Sequence, residues 1–119
     1  MQAMTRGRKT GLTETEGNLL RAGLVSSVRG RQRRFWAYEV QKVFKDVTGR
    51  PISWGTLFPA LRRLEMMGHL TSAWSSEDAD KRPIRYYELT ESGRKEAAAA
   101  TALQATSVSR SAAAQLGTP

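Results

Sequence analysis

Apolar residues recur at helical spacing in three stretches of the chain, then at a spacing of two, and finally thin out into alanine. Thr13-Glu14-Thr15-Glu16 has the form of a capping box. Leu20, Leu24 and Val28 follow at steps of four, flanked by Leu19 and Val25. This predicts a first helix from Thr13 to about Val28. Trp36, Val40, Val43, Phe44 and Val47 trace the face of a second helix, which stops at Thr48-Gly49, where glycine can take the left-handed conformation. Leu57, Leu61 and Leu64, with Ala60 beside them, predict a third helix opened by Ser53 and closed by Gly68. Pro59 falls past its first turn and removes one backbone hydrogen bond, so the pattern allows a kink or a later start.

After Gly68 the period becomes two. Leu70, Ser72 and Trp74 alternate with Thr71 and Ala73, and Arg85-Tyr86-Tyr87-Glu88-Leu89 is again rich in strand formers. Two short strands around a polar tip, Ser75 to Pro83, make a hairpin. Thr90 is suited to cap a last helix, with Glu91 in the first turn where the helix dipole favours an anion. That helix runs through alanines to about Leu116. Its apolar stripe (Ala97, Leu103, Val108, Leu116) is too thin to be stable alone, so it should dock on another surface. Between the first two helices, Arg29-Gly30-Arg31-Gln32-Arg33-Arg34 reads as a connecting loop. No repeat of fixed period is present.

The order helix, helix, helix, strand, wing, strand, helix is the layout of a winged helix-turn-helix, mostly α with a small β-hairpin, hence α+β. The expected division is a basic arm over residues 1–11, the winged domain over 12–90, and a C-terminal dimerisation helix with a frayed tail over 91–119.

Charge narrows the function. Of 19 basic and 11 acidic residues, the first fifty positions hold eleven basic and four acidic, so most of the net +8 lies in the amino-terminal half. A basic half on a small chain points to a polyanion, nucleic acid before anionic membrane. The chain has no cysteine and one histidine, His69. Disulfides, thiolate metal sites and thiol catalysis are thereby excluded. No apolar run is long enough to span a membrane, and the basic amino end lacks the apolar segment of a secretory signal. No nucleophile-base-acid set and no phosphate-cradling glycine loop is present. Asp78 and Asp80 lack further ligands and read as an acidic wing tip. The expectation is a cytoplasmic, DNA-associated protein without a cofactor and without enzymatic activity.

Ser53-Trp54-Gly55-Thr56-Leu57-Phe58-Pro59-Ala60-Leu61-Arg62-Arg63-Leu64-Glu65 resembles the recognition-helix motif of PadR-family transcriptional regulators. Gly68-His69-Leu70 and the run Lys81-Arg82-Pro83-Ile84-Arg85-Tyr86-Tyr87-Glu88-Leu89-Thr90-Glu91-Ser92-Gly93 resemble that family's wing, and Tyr38-Glu39 matches a pair on its second helix. The resemblance covers about residues 12–95. It implies a dimeric DNA-binding repressor on a two-fold symmetric operator, with the last helix as the dimer contact. It also implies a possible small-molecule effector of unknown identity, since some members sense phenolic or multidrug-like ligands in the dimer cleft. The chain departs from the family at Trp54, where proline is usual, at Phe58, where tyrosine is usual, at Lys81 for a wing glycine, and at Phe35-Trp36-Ala37.

In such a fold the third helix enters the major groove and its first residues reach base edges. The candidate contacts there are Ser53, Trp54, Gly55, Thr56, Phe58, Pro59, Arg62 and Arg63. Gly55 permits close backbone approach, and the Ser53 and Thr56 hydroxyls can meet a phosphate. Arg62 or Arg63 can meet a guanine edge or a phosphate. On the wing the candidates are Lys81, Arg82, Arg85 and Tyr86, with Arg82 foremost; Tyr87 shares a face with Leu89 and belongs to the core. Arg29, Arg31, Arg33 and Arg34 form the densest basic cluster and are candidates for phosphate contacts. Each assignment has a plainer counterpart: Ser53 as a simple cap, the arginines as solvated charges, and Trp54 and Trp36 as packing residues. Two rival functions stay open, a sequence-nonspecific nucleic-acid binder and a winged-helix docking module anchored on Trp54 and Phe58.

Overall fold

A computed structural model describes residues 11–75 and 83–116, with side chains up to 103. Four helices and a three-stranded sheet follow one another as α1 (Glu14–Gly30), β1 (Arg34–Trp36), α2 (Ala37–Thr48), α3 (Trp54–Met66), β2 (Leu70–Ser75), β3 (Ile84–Leu89) and α4 (Glu91–Leu116). This is the α+β winged-helix arrangement, with one strand more than the hairpin expected from the sequence.

The start of α1 is fixed by the capping box: Glu16 N–H donates to Thr13 Oγ1, and Thr13 N–H donates to Glu16 Oε1. Its buried face is Leu19, Leu20, Ala22, Gly23 and Ser26. Val28, expected on that face, is 70% exposed. Steps of four drift around a helix with 3.6 residues per turn, and by the third the side chain has left the core. Gly23 meets the Phe35 ring, leaving no room for a side chain between α1 and β1.

The arginine segment read as a loop is mostly ordered structure. Arg29 and Gly30 finish α1, Arg31 turns the chain in the left-handed region (φ 54°), and Arg34 begins β1. Ser27 Oγ donates to the Arg33 carbonyl and secures the turn. Strand β1 is too short to show alternation; it exists because β3 offers an edge. The sheet order is β1-β3-β2, all antiparallel, with Phe35 opposite Tyr87. Their rings lie 6.2 Å apart and nearly parallel. Phe35 is thus the core aromatic, and Trp36, expected on the apolar face of the second helix, ends β1 and stands at the cap position of α2 with Glu39 Oε1 accepting its N–H.

Helices α2 and α3 bury Val40, Val43 and Phe44 on one side and Leu57, Leu61 and Leu64 on the other, with Ile52 between them. Each fully buried leucine contributes roughly 1.5–3 kcal/mol. Gly49 closes α2 at φ 77°, as the sequence predicts. Helix α3 begins at Trp54 and runs through Pro59, so the later start that the pattern allowed is not used.

Helix α4 returns across α1. Ala97 is fully buried, and Ala100 lies against Gly17. Leu103, expected on the buried stripe, is exposed, whereas Val108 and Leu116 fall outside the described side chains. Thr90 caps α4 by accepting from Gly93 N–H. A Cβ on Gly93 would overlap the His69 carbonyl and press on Leu89. Gly93→Ala is therefore expected to destabilise the fold by about 1–3 kcal/mol, the usual cost of overpacking. Urea denaturation at equilibrium measures this; wild-type stability in the variant would contradict the crossing described.

Candidate nucleic-acid interface

Helix α3 has two unlike sides. Leu57, Leu61 and Leu64 face the core, and Ser53, Trp54, Gly55, Thr56, Phe58, Pro59, Arg62 and Arg63 are all solvent-exposed. The expected recognition residues thus share an open surface. Ser53 stands at the N-cap position in extended backbone, but its hydroxyl does not cap the helix; it donates to Thr56 Oγ1 at 3.1 Å. The Ser53 carbonyl accepts from the Thr56 and Leu57 N–H groups. No side chain near Gly55 fills the space a Cβ would occupy.

The two arginines of α3 differ. Arg63 Nε lies 2.8 Å from Glu16 Oε2, and Arg63 Nη2 donates to the Gly11 carbonyl. Glu16 is buried, so Arg63 compensates a carboxylate that burial would otherwise penalise. Arg62 is exposed and forms no hydrogen bond or ion pair among the described residues.

Rings gather at the amino end of α3. Trp54 stacks on Phe58 one turn on, with centroids 5.4 Å apart, and on Tyr38 of α2 at 6.4 Å; Trp36 leans on Tyr38 at 5.5 Å. Lys42 lies over the Tyr38 ring at 5.4 Å. Tyr38, Trp54 and Phe58 remain 40–50% exposed. Trp54 therefore packs on neighbours and still presents a surface. Tyr38 and Lys42 are not among the candidates that sequence alone supplies. The sequence signal for them is their spacing, one turn apart on the first half of α2; their approach to α3 follows from the crossing of the two helices, where Gln41 Nε2 also donates to the Ile52 carbonyl.

On the wing, Lys81 and Arg82 lie outside the described residues. Arg85 is exposed but held: it contacts Glu65 Oε1 at 3.1 Å and Ser72 Oγ at 2.8 Å, and lies over Trp74 and Tyr87. Tyr86 faces outward more than Tyr87 and carries the Arg34 guanidinium over its ring at 4.2 Å. Burial pushes the Tyr87 phenol up, with Arg85 drawing it partly back, so this core ring stays neutral. Of the arginine run, Arg29 pairs with Asp46 at 2.9 Å, and Arg31 and Arg33 are exposed in the turn. An open groove of about 620 Å³ beside the start of α3 is lined in part by Arg21, Arg50, Ser53 and Thr56. Among the described residues no cluster of three or more potential metal ligands is found. None of the described helices is long and apolar enough to cross a membrane.

Helices α2 and α3, packed on the core and joined by a short turn held down by Ile52, the bare outer side of α3 and a two-stranded wing define a winged helix-turn-helix, a fold found in transcriptional regulators. The sequence profile of the PadR-like transcriptional regulator family matches residues 28–99. A PadR family transcriptional regulator from Eggerthella lenta DSM 2243 is 31% identical, with 85% of this chain and 88% of that one covered and a TM-score of 0.53. The chain belongs to the PadR-like family. The same fold is found in the smu.1704 protein of Streptococcus mutans UA159 (24% identity, 84% and 90% coverage, TM-score 0.64). It is found again in a Clostridium thermocellum transcriptional regulator (20%, 86% and 91%, TM-score 0.54). No significant match is found among curated proteins.

The contrast between the paired arginines is testable. Arg63→Gln should lower stability by about 1 kcal/mol through the buried Glu16. Arg62→Gln should leave stability within about 0.5 kcal/mol of wild type. Thermal melting of both variants decides; equal effects would contradict the separate roles.

Proposed function

We propose that this PadR-like regulator is a repressor that binds duplex DNA sequence-specifically as a homodimer on a two-fold symmetric operator. The observation that carries the reading is the outer side of α3, where Trp54, Gly55, Thr56, Phe58, Pro59 and Arg62 form one exposed surface on a helix anchored from behind. A helix so held fits the major groove, with its amino-terminal end toward the bases. Arg62 is the cation for a guanine edge or phosphate. Ser53 and Thr56 supply hydroxyls, and Gly55 lets the backbone come close.

The wing residues Lys81, Arg82 and Tyr86 are assigned to the neighbouring groove or backbone. Arg85, already held by Glu65, fixes the attitude of the wing to α3 and adds charge. Arg31, Arg33 and Arg34, with Arg29 tied to Asp46, are assigned to phosphates beside the groove. Helix α4 is assigned to the dimer contact. Its first three turns already pack on the domain through Ala97 and Ala100, so the contact is assigned to the remainder of the helix. Repression then follows from occupancy of a promoter. The docking-module alternative draws on one observation, the exposed aromatic group around Trp54.

Selection from a random duplex pool at near-physiological salt, with excess nonspecific competitor, tests the whole reading. One inverted repeat with half-sites about one helical turn apart is the expected result. A lone half-site would overturn the dimer, retention without enrichment would favour a nonspecific binder, and no retention would favour the docking module.

The arginine run gives a separate expectation. Replacing Arg29, Arg31, Arg33 and Arg34 together with glutamine should weaken binding to all sequences. It should also flatten log K against log salt by about 0.9 for each phosphate that the variant no longer neutralises. An unchanged slope would remove these residues from the interface.

A further inference from the structure

The outer side of α3 is unusual for a reading surface in what it lacks. Between Ser53 and Met66 its exposed positions hold Trp54, Phe58, Pro59 and Met66, one glycine and one threonine. Its hydrogen-bonding groups are Ser53 and Thr56, which bond each other, and Arg62 and Arg63, of which Arg63 is held by Glu16. No exposed Asn or Gln offers the paired donor and acceptor that reads adenine, and no exposed Asp or Glu offers the acceptor that reads cytosine. What remains is apolar and pre-ordered: Phe58 lies against Trp54 at an interplanar angle of 22°, and Trp54 against Tyr38 at 14°.

The major groove presents one apolar group in unmodified DNA, the C5-methyl of thymine. We propose that the Trp54–Phe58 surface reads thymine C5-methyl groups, so that the discrimination made by α3 is largely discrimination for methyl-bearing pyrimidines. This deepens the duplex-DNA reading above and rests on it. Charge complementarity supports a nucleic-acid occupant rather than an apolar protein groove: Lys42 lies over the Tyr38 ring at one edge of the stack, and Arg62 follows Phe58 by one turn. Stacking holds the rings in place before binding, so little side-chain freedom is lost when a methyl is covered.

The test replaces thymines one at a time with deoxyuridine, which removes the methyl alone, in the duplex recovered by selection. Full-length wild type should bind about fourfold more weakly for each covered methyl removed, the size expected for one buried carbon. The effect should fall on thymines within each half-site. Phe58→Ser and Trp54→Ser, checked for wild-type melting, should bind the thymine duplex less tightly and no longer distinguish it from the deoxyuridine duplex. Indifference of wild type to every replacement, with specific binding intact, overturns this proposal and leaves the regulator reading standing. A penalty that persists undiminished in both variants also overturns it, since the methyls are then read elsewhere. Absence of specific duplex binding overturns the regulator reading and this one together.

Discussion

One tight crossing holds α3 in register with the rest of the molecule. Gly68 ends α3 in the left-handed region at φ 84°, and its carbonyl accepts from Thr90 Oγ1 at 2.7 Å and Ser92 Oγ at 3.1 Å. The next carbonyl, that of His69, accepts from Thr90 N–H, while His69 Nδ1 lies 2.9 Å from Ser92 Oγ. Thr90 Oγ1 also accepts from Gly93 N–H, so one hydroxyl caps α4 and ties it to the end of α3. The approach closes because Gly93 has no side chain. From there α4 lies across α1 through Ala97 and the Gly17–Ala100 contact. The direction of α3 is thus set by two glycines and a threonine at its far end.

The rest of α3 is held differently. Glu16 closes the cap of α1 with one oxygen and receives Arg63 with the other, linking two elements far apart in sequence. Near the C-terminal end Glu65 takes Arg85 and the Ser72 hydroxyl, linking α3 to both wing strands. The Glu65–Arg85 pair is largely solvated and contributes little stability, and the Arg63–Glu16 pair mainly offsets the burial of Glu16. Their weight here is geometric, because they commit Arg63 and Glu65 to orientation and leave the outer side of α3 to rings, small residues and Arg62. An exposed apolar patch of that kind marks a contact surface rather than a stabilising feature.

Local signals are legible in the sequence. The Thr13 capping box, the Gly49 stop, the Leu57-Leu61-Leu64 stripe and the Thr90 cap are each written within a few neighbouring residues, and each is found at its expected place. Features that depend on distant partners are not legible in this way. Strand β1 has three residues and forms only because β3 is beside it. Val28 fits a step of four and loses its place because the core sits to one side of that line. Arg62 and Arg63 look alike in sequence, and only the position of Glu16 separates them. The aromatic group is intermediate: its α3 members, Trp54 and Phe58, are visible as a pair one turn apart, whereas Tyr38 joins them only through the turn between α2 and α3.

This distribution bears on how such a protein would divide affinity from specificity. Cations close to phosphates attract any duplex and respond strongly to salt, whereas contacts to base edges discriminate and respond weakly. Here the densest run of exposed cations, Arg29, Arg31, Arg33 and Arg34, lies off α3, at the end of α1, in the following turn and at the start of β1. Helix α3 keeps Arg62 and an apolar surface. Under the DNA reading, the attractive and the discriminating functions therefore occupy different elements joined by the core. On the same reading, substitutions in the arginine turn would act on all sequences alike, and substitutions at Trp54 or Phe58 would act on the choice among them. The exposure of these rings in the free protein fits that reading, since a ring buried against its own domain cannot cover a methyl group in a groove.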